Sequence, residues 1–242
     1  MKQAPEAFFV HPFNQPSTWN GHSTIVDEIK SQLSEDFNEN REPAVIVTVA
    51  GGGGLAIGKL YIVSIKQIPK SKRIDKAFGY QMNDSLVKIS GILLGIRRHG
   101  WTKVPMVVME TEGAKSFNAA LHAGEVVKLD AIKSIATSLG SLSIQKELLE
   151  MAQSTEFHVI SGVVSDRSAV KSCLRFADDH RMLVEPACGA GLSSIYSDDF
   201  CNTDPPLKSI PPDNKNPVVL VVCGGDIVSL DLLQKWKSYF SI

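Results

Sequence analysis

Ala44-Val-Ile-Val-Thr-Val-Ala-Gly-Gly-Gly-Gly-Leu55 is an apolar, β-branched run that stops in four consecutive glycines. Without Cβ atoms the glycines let the main chain approach an anion closely and adopt positive φ. Their N–H groups, with the N-terminal dipole of a following helix, make a concavity that holds a phosphate. The spacing leaves several owners of that phosphate open. Residues 53–59 satisfy the G-x-x-x-x-G-K pattern of a nucleotide-binding loop, but Leu60 stands where Ser or Thr must offer a hydroxyl to magnesium, and no clear acidic partner strand appears elsewhere. A tight strand-to-helix turn is the plainest alternative, although four glycines exceed what a turn needs.

Outward from this loop, short β-branched runs alternate with helical patterns. Residues 45–49, 104–109, 157–164 and 218–222 read as strands, each bounded by turn residues. Between them, residues 24–33 place Ile25, Ile29 and Leu33 on one helical face. Ser165-Asp-Arg-Ser168 opens a helix carrying Ala169, Val170, Cys173, Leu174 and Ala177. Glu185 before Pro186 opens another, since Pro and an acidic side chain are both favoured at a helix start. Near-continuous apolar strands separated by helices predict an α/β fold, a three-layer twisted, mostly parallel sheet with helices on both faces. Such sheets bind ligands beyond the carboxyl ends of their strands, where the 51–55 loop and Cys223-Gly-Gly225 both fall.

With 242 residues, 43% apolar residues and a net charge of -1, the chain is long enough to bury a sizeable core and carries no electrostatic footprint for nucleic acid or a membrane surface. No apolar run approaches a bilayer span, and Met1-Lys-Gln-Ala-Pro5 lacks the apolar core of a signal peptide, so a cytoplasmic location is expected. Cys173, Cys188, Cys201 and Cys223 have no metal-ligand spacing and are expected as reduced thiols. His11 and His22, without Cys or His at ligand spacing, read as loop residues.

Five ordered motifs then carry a resemblance. Phe9-Val-His-Pro-Phe-Asn-Gln-Pro16 with Trp19-Asn-Gly-His22, the glycine loop, Met109-Glu-Thr-Glu-Gly-Ala-Lys-Ser-Phe117, Leu183-Val-Glu-Pro-Ala-Cys-Gly-Ala190 and Val221-Val-Cys-Gly-Gly225 resemble the animal L-serine dehydratase/L-threonine deaminase family. These enzymes use pyridoxal 5'-phosphate (PLP) and share the fold-type II, tryptophan-synthase-β-like architecture, here as the large domain. The resemblance implies that Gly51, Gly52, Gly53, Gly54 and Leu55 give N–H groups to the cofactor phosphate, and that Cys223 lies against the pyridine nitrogen. A neutral thiol there would leave the ring weakly protonated and favour rapid β-elimination. From spacing alone, Cys223 is a small apolar filler at a strand end.

Glu110 follows an apolar strand. The resemblance makes it a ligand of a monovalent cation, potassium, with carbonyls of Gly51, Ala114, Leu139 and Ser141, whereas the residues alone read equally as a Glu capping the next helix. The implied activity is conversion of L-serine or L-threonine to pyruvate or 2-oxobutyrate and ammonia, in amino-acid catabolism and gluconeogenesis, with a small amino-acid substrate and a homodimer. Another enzyme of the same fold, such as a serine racemase or threonine synthase, and a non-catalytic pseudoenzyme subunit remain alternatives. Asp226-Ile227 replaces the Ser-Asn that usually follows Cys-Gly-Gly.

Two departures stand out. The family's Ser-Phe-Lys type motif, source of the Schiff-base lysine, and its Ser-Ser-Gly-Asn-Ala-Gly type loop do not occur in residues 1–242. The expectation is a large domain without the small domain that supplies the amine, no catalytic residue in this chain, and no turnover by it alone. Lys59 and Lys115 are poor substitutes. Residues 59–90, with seven Lys/Arg against two Asp, also interrupt the helix expected after the glycine loop. Joining Gly58 to Gly91 restores one helical stretch running to Gly100 and Trp101. The residues at the two joints can be encoded as splice-donor-like and acceptor-like sequences, so a retained intron is expected, with a basic surface loop as the alternative.

Overall fold

The computed structural model describes residues 16–37, 41–50, 58–65, 76–82, 86–197, 216–223 and 227–242, with residues 16, 58–65, 76–82, 86–88 and 223 described by their backbone alone. The first motif up to Gln15, the 51–55 loop, Cys201 and Gly224 to Asp226 lie outside the described residues.

Six strands form one sheet: β1 (Val45–Val49), β2 (Gly58–Ile65), β3 (Lys76–Met82), β4 (Met106–Thr111), β5 (Val159–Val164) and β6 (Val218–Cys223), in the order β3-β2-β6-β1-β4-β5. β6, β1, β4 and β5 are mutually parallel, with Val47 opposite both Leu220 and Val107. All four strands expected from the sequence are present, with β4 and β5 beginning two residues later than expected. Every residue of β1 and β4 is buried, the mark of a parallel sheet covered on both faces.

The 59–90 segment is the main correction. A basic surface loop is not what the backbone forms: β2 and β3 make an antiparallel hairpin whose inner strand pairs antiparallel with β6, Leu60 opposite Cys223 and Ile65 opposite Val218. The sheet is therefore extended by two strands beyond its parallel part. The expected helix starts only after this hairpin, as α2 (Leu86–Arg98).

That helix ends where the sequence stops it. Gly100 takes φ +73° and Trp101 N–H returns to the Ile96 carbonyl at 2.9 Å, while Arg97 and Arg98 sit in the last turn, where the dipole favours cations. α2 packs along α1 (Pro16–Phe37), which buries the expected stripe of Ile25, Ile29 and Leu33. Two glycines set the approach: a Cβ on Gly91 would lie 2.5 Å from His22 Cβ, and one on Gly95 2.5 Å from Val26 Cγ2. His22 is thus a buried helical residue rather than a loop residue, packed where Gly91 of α2 crosses α1. Arg98 crosses the same seam to the Ser23 hydroxyl (2.7 Å), the Ser23 carbonyl (3.0 Å) and the Asp27 carboxylate (2.6 Å), which His99 also meets.

The sheet's other face holds α6 (Pro186–Tyr196), all eleven residues of which are buried. Pro186 at its first turn and Glu185 at its N-cap start it as expected. Small side chains let it lie flat: a Cβ on Gly191 would sit 3.0 Å from Val49 Cγ1, and one on Gly189 only 2.2 Å from the Ala169 carbonyl oxygen of α5 (Asp166–His180). α5 is capped by Ser165, whose hydroxyl accepts from Ser168 N–H at 3.1 Å. The shorter helices α3 (Ser116–Ala123), α4 (Lys146–Gln153) and α7 (Leu230–Tyr239) complete the described layers.

Candidate active site

The order of the parallel strands fixes where a ligand belongs. The chain passes from β1 to β4 to β5 on one side and then returns to place β6 on the other side of β1, so the strand order reverses between β1 and β6. In open α/β sheets the crevice for a ligand lies outside the carboxyl ends of the strands at such a reversal. Ala50, at the end of β1, leads directly into the four glycines, and β6 ends at Cys223. The two segments that the sequence singles out therefore leave neighbouring parallel strands at the same end of the sheet.

β4, on the other side of β1, ends in two buried polar residues that point to opposite faces, as alternation along a strand requires. Glu110 turns toward α3: its Oε1 accepts from Phe117 N–H at 2.9 Å and its Oε2 from Asn118 N–H at 2.7 Å. The helix-capping role read from the residues is realised here by a carboxylate from the preceding strand, while Lys115 at the N-cap makes no side-chain cap bond. Burial pushes the Glu110 carboxyl up to about 8, against the pull of the two backbone N–H groups and of Lys115.

Thr111 turns toward the loop of residues 124–145. Its hydroxyl lies 2.8 Å from that of Ser134, which donates to Asp166 Oδ1 at 2.6 Å; Asp166 Oδ2 accepts from Ile135 N–H at 3.1 Å. A carboxylate only accepts, so the single hydroxyl proton of Ser134 goes to Asp166 and Thr111 is the donor to Ser134. The same loop is joined to the β4–α3 turn by Lys133 N–H to the Gly113 carbonyl at 2.8 Å, where a Cβ on Gly113 would meet the Lys133 oxygen at 2.0 Å. It then forms a 3₁₀ turn, Thr137–Leu139, whose Ser138 hydroxyl donates to Glu185 Oε2 at 2.5 Å.

Of the proposed cation ligands, Glu110, Ala114 and Leu139 are buried, and Ser141 follows the turn with its N–H on the Leu139 carbonyl at 2.8 Å. Ala114 bridges back to Thr111, so the 111–114 turn and the 133–141 loop converge at the carboxyl end of β4. Cys223 is placed by its backbone at the end of β6, and Gly51, Gly52, Gly53, Gly54 and Leu55 lie outside the described residues. Among the described residues no group of His, Cys, Asp and Glu could hold a metal ion. Asp166, Ser134 and Thr111 were not anticipated as site residues. The Ser165-Asp166 helix start was the one available signal, and it says nothing about a partner 32 positions away.

Comparison with known proteins gives this edge of the sheet a chemistry. The sequence profile described as pyridoxal-phosphate dependent enzyme matches residues 86–224, beginning where the hairpin ends. A protein named serine dehydratase-like from Rattus norvegicus is 37% identical over 229 residues, covering 95% of this chain and 56% of that protein. The L-serine dehydratase/L-threonine deaminase of the same organism is 33% identical over 247 residues, covering 100% of this chain and 54% of its own length. Among solved structures, a fungal L-serine ammonia-lyase from Rhizomucor miehei superposes with a TM-score of 0.73 at 29% identity, covering 98% of this chain and 61% of that one. The chain spans about half the length of the curated relatives it matches. With more than half of its residues inside the family profile, the chain belongs to the pyridoxal-phosphate dependent enzyme family.

Proposed function

We propose that this chain is the cofactor-holding part of a PLP-dependent L-serine and L-threonine dehydratase. The observation that carries the reading is the reversal of strand order between β1 and β6, with the glycine run leaving one strand and Cys223 ending the other. In this reading Gly51, Gly52, Gly53, Gly54 and Leu55 bind the cofactor phosphate through their N–H groups, and Cys223 sets the environment of the pyridine ring. When bound, PLP supplies an electron sink for charge developing at the substrate Cα. The overall change is balanced without a further reactant: L-serine gives pyruvate and ammonia, and L-threonine gives 2-oxobutyrate and ammonia. The names of the Rattus norvegicus proteins and of the fungal enzyme support this substrate class.

The chain's own residues contribute binding and shape. The residues of β1 and β4 are buried up to their carboxyl ends, and the buried helix α6 lies against Val49 behind the β1 end. The reading extends to a monovalent cation, potassium, held by Glu110 with carbonyls of Gly51, Ala114, Leu139 and Ser141, and to a homodimer in the cytoplasm serving amino-acid catabolism and gluconeogenesis. The amine that takes the Cα proton belongs to a Ser-Phe-Lys type motif not found in residues 1–242.

The test is a titration of the 242-residue protein with PLP and with magnesium ATP, followed by absorbance and fluorescence. Saturable PLP binding without ATP hydrolysis is expected. ATP binding tighter than PLP, or saturable ATP hydrolysis, would overturn the assignment.

A further inference from the structure

The two ends of the sheet are finished differently. At one, β5 has α3 against it, Asn118 Nδ2 donating to the Ser161 hydroxyl at 3.0 Å. At the other, β3 is held on one side by β2, from Lys76 opposite Ser64 to Met82 opposite Gly58, and no described strand lies beyond it. One row of its N–H and C=O groups therefore faces away from the sheet, a template for a further strand.

The devices that keep such an edge from pairing are sparse in Lys76-Ala-Phe-Gly-Tyr-Gln-Met82. The strand holds no proline, and its single charged residue stands at its first position. Phe78 and Tyr80, on either side of the central Gly79, are residue types that favour strands and pair well across them.

The geometry of an antiparallel ladder selects one way for this strand to meet its own copy. Alternate residues turn their N–H and C=O groups outward, and outward-bonding residues of the two strands must oppose each other, so the numbers of two opposed residues sum to an even value. The register that pairs all seven positions is symmetric about Gly79 and meets this condition. It sets Lys76 against Met82, Ala77 against Gln81 and Phe78 against Tyr80. The lysines of the two copies then stand at opposite ends, and each aromatic position faces another. The contact is the same on both copies and closes on itself.

We propose that β3 pairs antiparallel with β3 of a second copy, joining two six-stranded sheets into one across a twofold axis at Gly79. The hairpin makes this surface, so it exists only in the form of the protein that carries residues 59–90. The pairing does not depend on the cofactor reading.

The experiment combines sedimentation of the 242-residue protein over a range of concentrations with oxidative cross-linking of cysteine variants. Opposed Cα atoms of an antiparallel pair lie about 4.5–5.5 Å apart, within the span of a disulfide. In Gly79→Cys the two new thiols meet on the axis, whereas in Gln81→Cys they stand roughly 14 Å apart along the strands, out of reach. Wild type, with Cys173, Cys188, Cys201 and Cys223, is oxidised in parallel. Wild type is expected to sediment as a concentration-dependent dimer. A covalent dimer reversed by dithiothreitol is expected in Gly79→Cys and in neither Gln81→Cys nor wild type. A monomer at every concentration overturns the pairing. So does a dimer in which Gly79→Cys cross-links no more than Gln81→Cys, which would place the contact between copies on another surface. Where Gly79→Cys does not fold, Lys76→Cys combined with Met82→Cys, opposed in the same register, decides the matter in the same way.

Discussion

Glu28 and Asp27 are neighbours on α1 with opposite electrostatics. Burial pushes Asp27 upward, but hydrogen bonds from His99 and Arg98 and their charges outweigh it and hold its carboxyl below the ordinary range. Glu28 has no such partners: burial first, and then the adjacent Asp27, raise its pKa above 4.5, and its Oε2 is shut off from water with no hydrogen bond. A folded-state pKa above the unfolded one means that the folded protein binds the proton more tightly, so this carboxylate costs stability as pH rises past its unfolded value. Glu28→Gln should therefore melt above wild type at pH 7, with the difference shrinking to nothing near pH 4, where both states are protonated. Melting curves across that range check it, and a variant less stable than wild type at pH 7 would mean that the charge is favourably met.

At the level of elements, glycines in two helices predict substitutions of opposite sign. In α6, a Cβ on Gly189 would meet backbone atoms of Ala169 and the Cys173 sulfur at 2.2 and 2.6 Å, and a packed crossing of α5 and α6 cannot give by an ångström. Gly189→Ala should cost about 1–3 kcal/mol, the usual penalty of overpacking. In α1, Gly21 has nothing within 4 Å of such a Cβ, so Gly21→Ala should stabilise by about 0.5–1 kcal/mol through helix propensity and a less flexible unfolded chain. Chemical denaturation of both variants checks the two signs together. Elements of this kind were largely readable beforehand. The 3.6-residue spacing of Ile25, Ile29 and Leu33 and the β-branched runs of β1, β4, β5 and β6 report local periodicity, which burial then fixes. The β2–β3 hairpin was not, because its pairing with β6 depends on where a distant strand arrives. The Thr111–Ser134–Asp166 chain was hidden for the same reason: hydroxyl contacts between a strand end, a loop and a helix start leave no spacing in the sequence.

For the whole molecule, the question is whether residues 59–90 belong to the protein's normal form. A retained intron remains a proposal, made because the residues at the two joints can be encoded as splice-like sequences and because Gly58 joined to Gly91 would continue one helical pattern. Transcript sequencing should find reads joining the Gly58 codon directly to that of Gly91; the segment in every full-length transcript would make the hairpin a genuine part of the fold. With or without it, β6 reaches β1 across nearly the whole described chain, Val45 lying beside Val218. During synthesis the β1 edge at the reversal of strand order must wait, unpaired, until β6 has left the ribosome. Such long-range closure is slow and leaves an apolar strand open to other chains. Within the described chain the site is therefore completed only when its sequence-distant strands have met, and until then the open β1 edge is the place where a nascent chain most needs a chaperone.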